Sequence, residues 1–309
     1  MLDRIEGLHH VTSMASGARA NNAFFTDTLG LRRVKKTVNF DAPDVYHLYY
    51  GDEAGTPGTI MTYFPFPNIG DRKRGTGEVG LTRYAVPEGA LPYWAERLAH
   101  AGVEGLRSAS VLGEERLDFL GPDGDEFTLV ESRSDTRAPW TGGGVPEDAA
   151  IRGFRGVTLR LAEAGPTDEL LRFMGFEEEG REGAVTRYRL PHGNGADAIE
   201  IEETPSGRRA IPGAGSVHHV AFAVRDRAAQ AEARKAIAAT GYQVTPPIDR
   251  DYFWSIYFRT PGGVLFEVAT DEPGFARDEA PAHLGEGLML PTQHAHLRAA
   301  LERRLEPIE

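Results

Sequence analysis

The chain contains no cysteine. That excludes disulfides, zinc–thiolate sites, cysteine-held iron–sulfur clusters and a thiol nucleophile. Long apolar runs are missing too, which leaves neither a membrane span nor a signal peptide to read. From the missing export signal, a cytoplasmic location is the expectation. Basic residues are in deficit, with 34 Lys and Arg against 46 Asp and Glu. The formal net charge of −12 argues against nucleic acid or an anionic membrane as partner.

What is present has the balance of a globular protein, 40% hydrophobic and 26% charged, and 309 residues predict two domains of ordinary size. Four segments share one plan, a strand, a helix, then three strands. The first opens at Leu8-His9-His10-Val11-Thr12, carries a helix over 21–29 and closes with Ile60-Met61-Thr62-Tyr63-Phe64. The second opens at Val79-Gly80-Leu81-Thr82-Arg83-Tyr84, carries a helix over 91–101 and closes with Glu126-Phe127-Thr128-Leu129-Val130. A Pro/Gly-rich stretch around Trp140-Thr141-Gly142-Gly143-Gly144 breaks the periodicity and reads as a linker. The third unit opens at Phe154-Arg155-Gly156-Val157-Thr158-Leu159, with a short helix over 166–174 and strands over 184–190 and 198–202. The fourth opens at Val217-His218-His219-Val220, has a long helix over 228–240 ended by Gly241, and closes through Pro261-Gly262-Gly263 into Leu265-Phe266-Glu267-Val268. The expected organisation is a two-unit domain over 1–134, a linker over 135–150, a second two-unit domain over 151–271, and a tail over 272–309. In that tail Leu297, Leu301 and Leu305 have helical spacing and pack on the body.

A histidine on the first strand of unit four and a carboxylate on its last are ligand types that suit a divalent transition metal. Two ligands do not hold a catalytic metal, and the missing one is offered by His9-His10 at the opposite end of the chain.

Four such units resemble the vicinal oxygen chelate superfamily, which includes glyoxalases, bleomycin resistance proteins and dioxygenases. The resemblance covers nearly the whole chain. It is carried by the two His-His strand starts and by Leu265-Phe266-Glu267-Val268-Ala269-Thr270-Asp271, with support from Lys35-Lys36-Thr37-Val38-Asn39-Phe40-Asp41 and Tyr46-His47-Leu48-Tyr49-Tyr50-Gly51-Asp52. It implies an α+β fold in which four βαβββ modules pair into two domains and their mixed sheets curl into cups around a metal. Within the superfamily the sequence is similar to the hydroquinone-type ring-cleaving dioxygenases, non-haem iron(II) proteins that open 1,4-dihydroxybenzenes beside one hydroxyl with O2. Manganese(II) accepts the same ligand types. The partners implied are a small aromatic diphenol, O2, and a second copy of the chain paired through sheet edges or the tail.

Aligning the four units tests the ligand set by position. At the first-strand position stand His10, Thr82 or a neighbour, Gly156 or Val157, and His219. At the last-strand position Glu267 is matched by Thr128 in unit two and by Tyr63 or Thr62 in unit one. The outer units therefore supply three ligands, His10, His219 and Glu267. Two histidines and a carboxylate on one face of iron leave positions open for substrate and dioxygen. A glyoxalase-like site would fill the fourth corner with another Glu or His.

Strand alternation puts Thr12 on the metal side beside His10, and Ala221 and Ala223 on the metal side beyond His219. By the same parity His9 and His218 point away from the metal, whereas the resemblance implies that both act around it. The resemblance also implies that Arg250 and Tyr257 face the substrate. An arginine there stabilises a deprotonated hydroxyl, and a tyrosine donates a hydrogen bond to bound oxygen. Against these stand plainer readings: Tyr257 as strand packing, and Arg250 paired with Asp249 or Asp251 at the surface. His47 reads as structural or pocket-lining, His294 and His296 as solvated, and Glu177-Glu178-Glu179 as an exposed turn. Two alternatives to the dioxygenase remain: a metal-dependent glyoxalase-like isomerase or lyase using Ni, Zn or Mn, and a non-catalytic protein holding an aromatic ligand in the cup.

Overall fold

The computed structural model describes residue 2 and residues 4–309. Unit one comprises β1 (Leu8–Ala15), α1 (Ala18–Ala23), β2 (Arg32–Val38), β3 (Tyr46–Gly51) and β4 (Ile60–Pro65). Unit two comprises β5 (Glu78–Val86), α2 (Leu91–His100), β6 (Arg107–Val111), β7 (Glu114–Leu120) and β8 (Glu126–Glu131). In unit three these are β9 (Gly153–Leu161), α3 (Gly165–Phe173), β10 (Glu177–Glu182), β11 (Val185–Arg189) and β12 (Ala198–Glu203). Unit four has β13 (Val217–Val224), α4 (Arg227–Ala239), β14 (Ile248–Asp249), β15 (Phe253–Arg259) and β16 (Leu265–Pro273), and the tail ends in α5 (Arg298–Arg304). The first helix starts earlier than its sequence pattern and passes into a π-helical turn, Phe24–Thr28, where Phe24 and Phe25 reach the core. The acidic run at Glu177 is an edge strand rather than a turn: Glu178 pairs with Arg172 and Glu179 with Arg189, so its charges are held at the surface.

Two mixed eight-stranded sheets result, ordered β14-β15-β16-β13-β1-β4-β3-β2 and β10-β11-β12-β9-β5-β8-β7-β6. Each curls into a half-barrel. Units one and four share one sheet and units two and three the other, so each sheet takes one unit from each half of the chain. At the centre of each, the two first strands run antiparallel, and each is flanked by the parallel last strand of its own unit. This wiring brings the two ends of the polypeptide to one cup.

Strand alternation explains where the core lies. Val220, Phe222 and Val224 turn to the outer side of β13, where Ala233 and Ile237 of α4 are buried in the same cluster. Asp226 caps α4 by accepting from Ala229 N, and buried Gln230 donates to the carbonyls of Trp254 and Val268, locking the helix to the sheet. The Pro/Gly-rich stretch forms no strand or helix, yet it is packed: Val145, Ala149 and Ala150 are buried, and Trp94 Nε1 donates to Ala149 O. The tail is tied down by charge. Fully buried Lys35 lies 2.6 Å from Asp278 and 2.5 Å from Glu279. His294 is half-buried, with its Nε2 2.8 Å from the carbonyl of Phe40, and His296 is exposed.

Candidate metal centre

Both doubled histidines sit at bulges. The β1–β13 register runs Leu8↔Phe222, His10↔Ala221, Thr12↔His219 and Ser13↔Val217, so His9 and His218 are the extra residues. A bulge re-aims the side chain it carries. Simple alternation fails here for that reason: His9 Nδ1 is 2.9 Å from His10 Nδ1, and His218 Nδ1 is 2.7 Å from His219 Nδ1. With each Nδ1 so engaged, the Nε2 atoms of His10 and His219 face one another at 3.2 Å.

Glu267 arrives from β16, in register with Ala221. Its Oε2 lies 2.9 Å from His219 Nε2 and 3.5 Å from His10 Nε2. Metal bonds of about 2.1 Å at right angles separate neighbouring ligand atoms by about 3 Å, so this triangle has the size of one face of a coordination polyhedron. Ser255 Oγ donates to Glu267 Oε1. The completely buried Oε2 accepts no hydrogen bond of adequate geometry, and such an orphaned anion is stabilised by a cation. Among the described residues, His10, His219 and Glu267 are the one group whose ligand atoms converge this way.

The protonation states suit a cation as well. Burial pushes the Glu267 pKa up, but His10 and His219 outweigh it and hold the carboxyl well below its usual range. Burial lowers His219. His9 is pushed down to about 3 by burial and then His10, and His218 to about 4 by desolvation and then His219. Neutral imidazoles around an ionised carboxylate are what metal binding requires.

His47 is held well below 6.5 by burial and then by His10 and His219. A base whose folded pKa is depressed contributes stability that is fully present above 6.5 and is lost as pH falls toward the folded value. Lowering the pH of metal-free protein from 7 to 5 is therefore expected to lower stability through this residue. Urea titrations of His47→Gln should show a reduced acid sensitivity; an unchanged pH dependence would mean that His47 titrates normally.

A cavity of about 480 Å³ opens over His10 and His219. Its polar wall holds His10, His218, His219, Arg250, Tyr257 and His47, and its apolar wall includes Met14, Phe40, Phe64, Phe66 and Leu265. Arg250 faces this space rather than Asp249 or Asp251: its Nε is 3.4 Å from Tyr257 Oη, a further nitrogen is 3.4 Å from Asp41, and its guanidinium covers the Phe40 ring. Asp251 is instead bound to Arg277 and Thr292. Tyr257 stands against His219 at 5.7 Å between rings, and burial keeps its phenol protonated. Thr12 lies behind the cavity wall, 3.2 Å from Thr62.

The registers also settle which residues correspond across units. Thr12↔Thr62 matches Ala221↔Glu267, so Thr62 rather than Tyr63 holds the fourth corner. In the inner sheet the bulges fall at Gly80 and Arg155, which puts Leu81 and Gly156 at the histidine positions. A Cβ at Gly156 would lie 1.7 Å from Ala198 O, so no ligand side chain fits there. Arg83↔Thr128 and Thr158↔Glu200 complete that set. Glu200 thus occupies the Glu267 position of the second cup, a match that sequence reading missed; its signal was the alternating strand Ala198-Ile199-Glu200-Ile201-Glu202.

Residues 157–268 match the glyoxalase/bleomycin resistance protein/dioxygenase superfamily. A Bacillus subtilis protein named "Putative ring-cleaving dioxygenase MhqO" is 43% identical over 310 residues, covering 100% of this chain and 98% of that protein. The chain belongs to the glyoxalase/bleomycin resistance protein/dioxygenase superfamily. A second member, the chlorohydroquinone/hydroquinone 1,2-dioxygenase of Sphingobium indicum, is 37% identical and aligns over 99% of this chain and 98% of its own length. The crystal structure of a "putative dioxygenase" from Bacillus subtilis superposes with a TM-score of 0.95 at 43% identity, covering 99% of this chain and 98% of that one. The fold is also that of glyoxalase I from Zea mays, which superposes with a TM-score of 0.64 at 13% identity, and the His/His/Glu cluster lies where the outer units meet. Among the described residues, no helix is long and apolar enough to cross a membrane.

Proposed function

We propose that the protein is a non-haem iron(II) dioxygenase of extradiol type that opens hydroquinone-type aromatics with O2. The observation that carries this reading is the three-ligand cluster itself: His10, His219 and Glu267 converge, while Thr62 fills the fourth corner with a side chain that is a poor metal ligand. Three ligands leave room for both reactants at one iron. Relatives at 37–43% identity that carry ring-cleaving dioxygenase names support the same chemistry.

In this reading His10, His219 and Glu267 hold iron(II), which supplies binding and activation of substrate and dioxygen together. The chain's own groups do the rest. The Phe40, Phe64 and Phe66 wall receives an aromatic ring and excludes water. Arg250, the cation closest to Tyr257, favours a substrate hydroxyl in its deprotonated form. Tyr257, kept protonated, donates a hydrogen bond toward oxygen in the cup. His9 and His218 fix the orientation of the ligand imidazoles through Nδ1 and offer sites for proton transfer beside them.

Oxygen uptake by anaerobically iron(II)-reconstituted protein, assayed against a panel of hydroquinones and catechols, tests the reading. The expected result is one O2 consumed per hydroquinone, with both atoms of ¹⁸O2 found in the ring-opened product. Manganese(II)-reconstituted protein run in parallel decides between the two metals. Full iron loading with no uptake on any substrate would end the dioxygenase assignment.

A further inference from the structure

Beside the metal cup lies a second cavity, of about 290 Å³, and Met14, His218 and Leu265 line both. This side pocket therefore adjoins the cup at the residue whose imidazole meets the His219 ligand. Val79, Pro212 and Val264 extend its apolar lining, and its charged groups are Glu78, Arg209 and Arg259. The acid is already engaged: Glu78 Oε1 accepts from Gly75 N at 2.9 Å and lies 3.1 Å from Arg160 Nη1.

The two arginines are not neutralised. Arg259 Nη1 donates to Gly263 O at 2.8 Å, and Arg209 Nη2 comes within 3.4 Å of the place that a Cβ on Gly263 would take. Two guanidiniums thus converge on one backbone residue, and among the described residues neither has a carboxylate partner. In a chain of net charge −12, acids to pair with them are not scarce. Like charges held side by side repel, and an anion set between them removes the cost. The planar fork of donors on a guanidinium matches a carboxylate, and the apolar lining suits a hydrocarbon body attached to it. Ring opening of a diphenol yields a ligand of that class. The ring bond between a hydroxyl-bearing carbon and its neighbour breaks, and each carbon takes one oxygen atom of O2, the oxidant. The first ends as a carboxylic acid and the second as an aldehyde. The acid ionises at neutral pH, so a neutral substrate becomes an unsaturated open-chain anion.

We propose that Arg209 and Arg259 form a carboxylate subsite beside the metal cup, and that it takes up the carboxylate end of the ring-opened product as the product leaves the cup. The assignment to the product rests on the dioxygenase reading, but affinity for an unsaturated carboxylate is a property of the protein alone.

Calorimetry of metal-free protein with sorbate, an unsaturated six-carbon monocarboxylate, and with its neutral amide tests the subsite. Sorbate should bind more tightly than the amide, and its affinity should fall as salt is raised. Arg209→Gln and Arg259→Gln should each weaken sorbate binding about three-fold, and together about ten-fold, the scale of exposed charge pairs. Both side chains are exposed, so the urea midpoint should stay at the wild-type value. Three results would each overturn the proposal: equal binding of sorbate and amide, no sorbate binding, or a loss confined to Arg250→Gln, which would put the anion inside the cup. Turnover tests the assignment to the product. Product accumulated in the hydroquinone assay should inhibit the double variant about ten-fold less than wild type, and equal inhibition would sink that assignment. Wild-type protein that loads iron yet consumes no O2 would remove the dioxygenase reading, and the sorbate titration would still decide the subsite.

Discussion

Glu267→Gln is expected to lose the metal while the protein stays folded. A site with four ligands binds with an apparent free energy of about 10–16 kcal/mol, about 3 kcal/mol per ligand, so loss of one ligand lowers affinity about a hundred-fold. The amide keeps nearly the same volume and can still meet Ser255 Oγ, but it withdraws the one anion that, among the described residues, faces the two Nε2 atoms. Metal content after anaerobic loading and desalting should fall to a small fraction of the wild-type value, with the urea midpoint of the metal-free protein little changed. Normal iron content in this variant would take Glu267 out of the site and leave its orphaned Oε2 without an explanation.

How much of this was legible in the residues depends on which physical signal carried it. The ligand types, the doubled histidines and the turn at Pro261-Gly262-Gly263 are local, and the chain order of elements follows from them. The meeting of the two chain ends was readable only because units one and four carry the same motif; hydrogen bonding across β1 and β13 then makes it physical. What alternation misjudged was His9 and His218, because a bulge is a property of two strands in register and leaves no mark on either strand alone. Arg250 was ambiguous for a similar reason. Of its aspartate neighbours in sequence, Asp251 is drawn off by Arg277 and Thr292 from the tail and Asp249 accepts from Asp251 N, and its actual partner, Asp41, is distant in sequence. His47 reads in the sequence as structural or pocket-lining, and its hydrogen bonds to Tyr49 and Thr62 depend on the pairing of β3 with β4.

The second large effect is expected far from the metal, at Glu200. It occupies the Glu267 position of the other cup, but there the cations are arginines: Arg83 at 2.9 Å, Arg116 at 2.5 Å and Arg187 at 3.0 Å. Burial pushes its pKa up, and these guanidiniums outweigh it and hold the carboxyl well below the usual range. Its contribution is therefore fully present above the ordinary carboxylate pKa and is lost only as pH falls through the depressed folded value, so it acts throughout the neutral range. Glu200→Gln leaves three buried guanidiniums with Glu114, which Arg155 also holds, and, for Arg187, Glu179 at 3.6 Å; removing one member of such a set costs about 3–5 kcal/mol. For a chain of this size the melting temperature should drop by roughly 10 °C. Iron content and hydroquinone affinity should not change, since the second cup has Leu81 and Gly156 where the first has histidines. A loss below about 1 kcal/mol would mean that Glu114 suffices for the arginines; a loss of iron would mean that the two cups are coupled. Opposite answers from Gln at 267 and at 200 are the expected signature of one carboxylate position put to two uses, a cation held from solution in one sheet and cations built into the chain in the other.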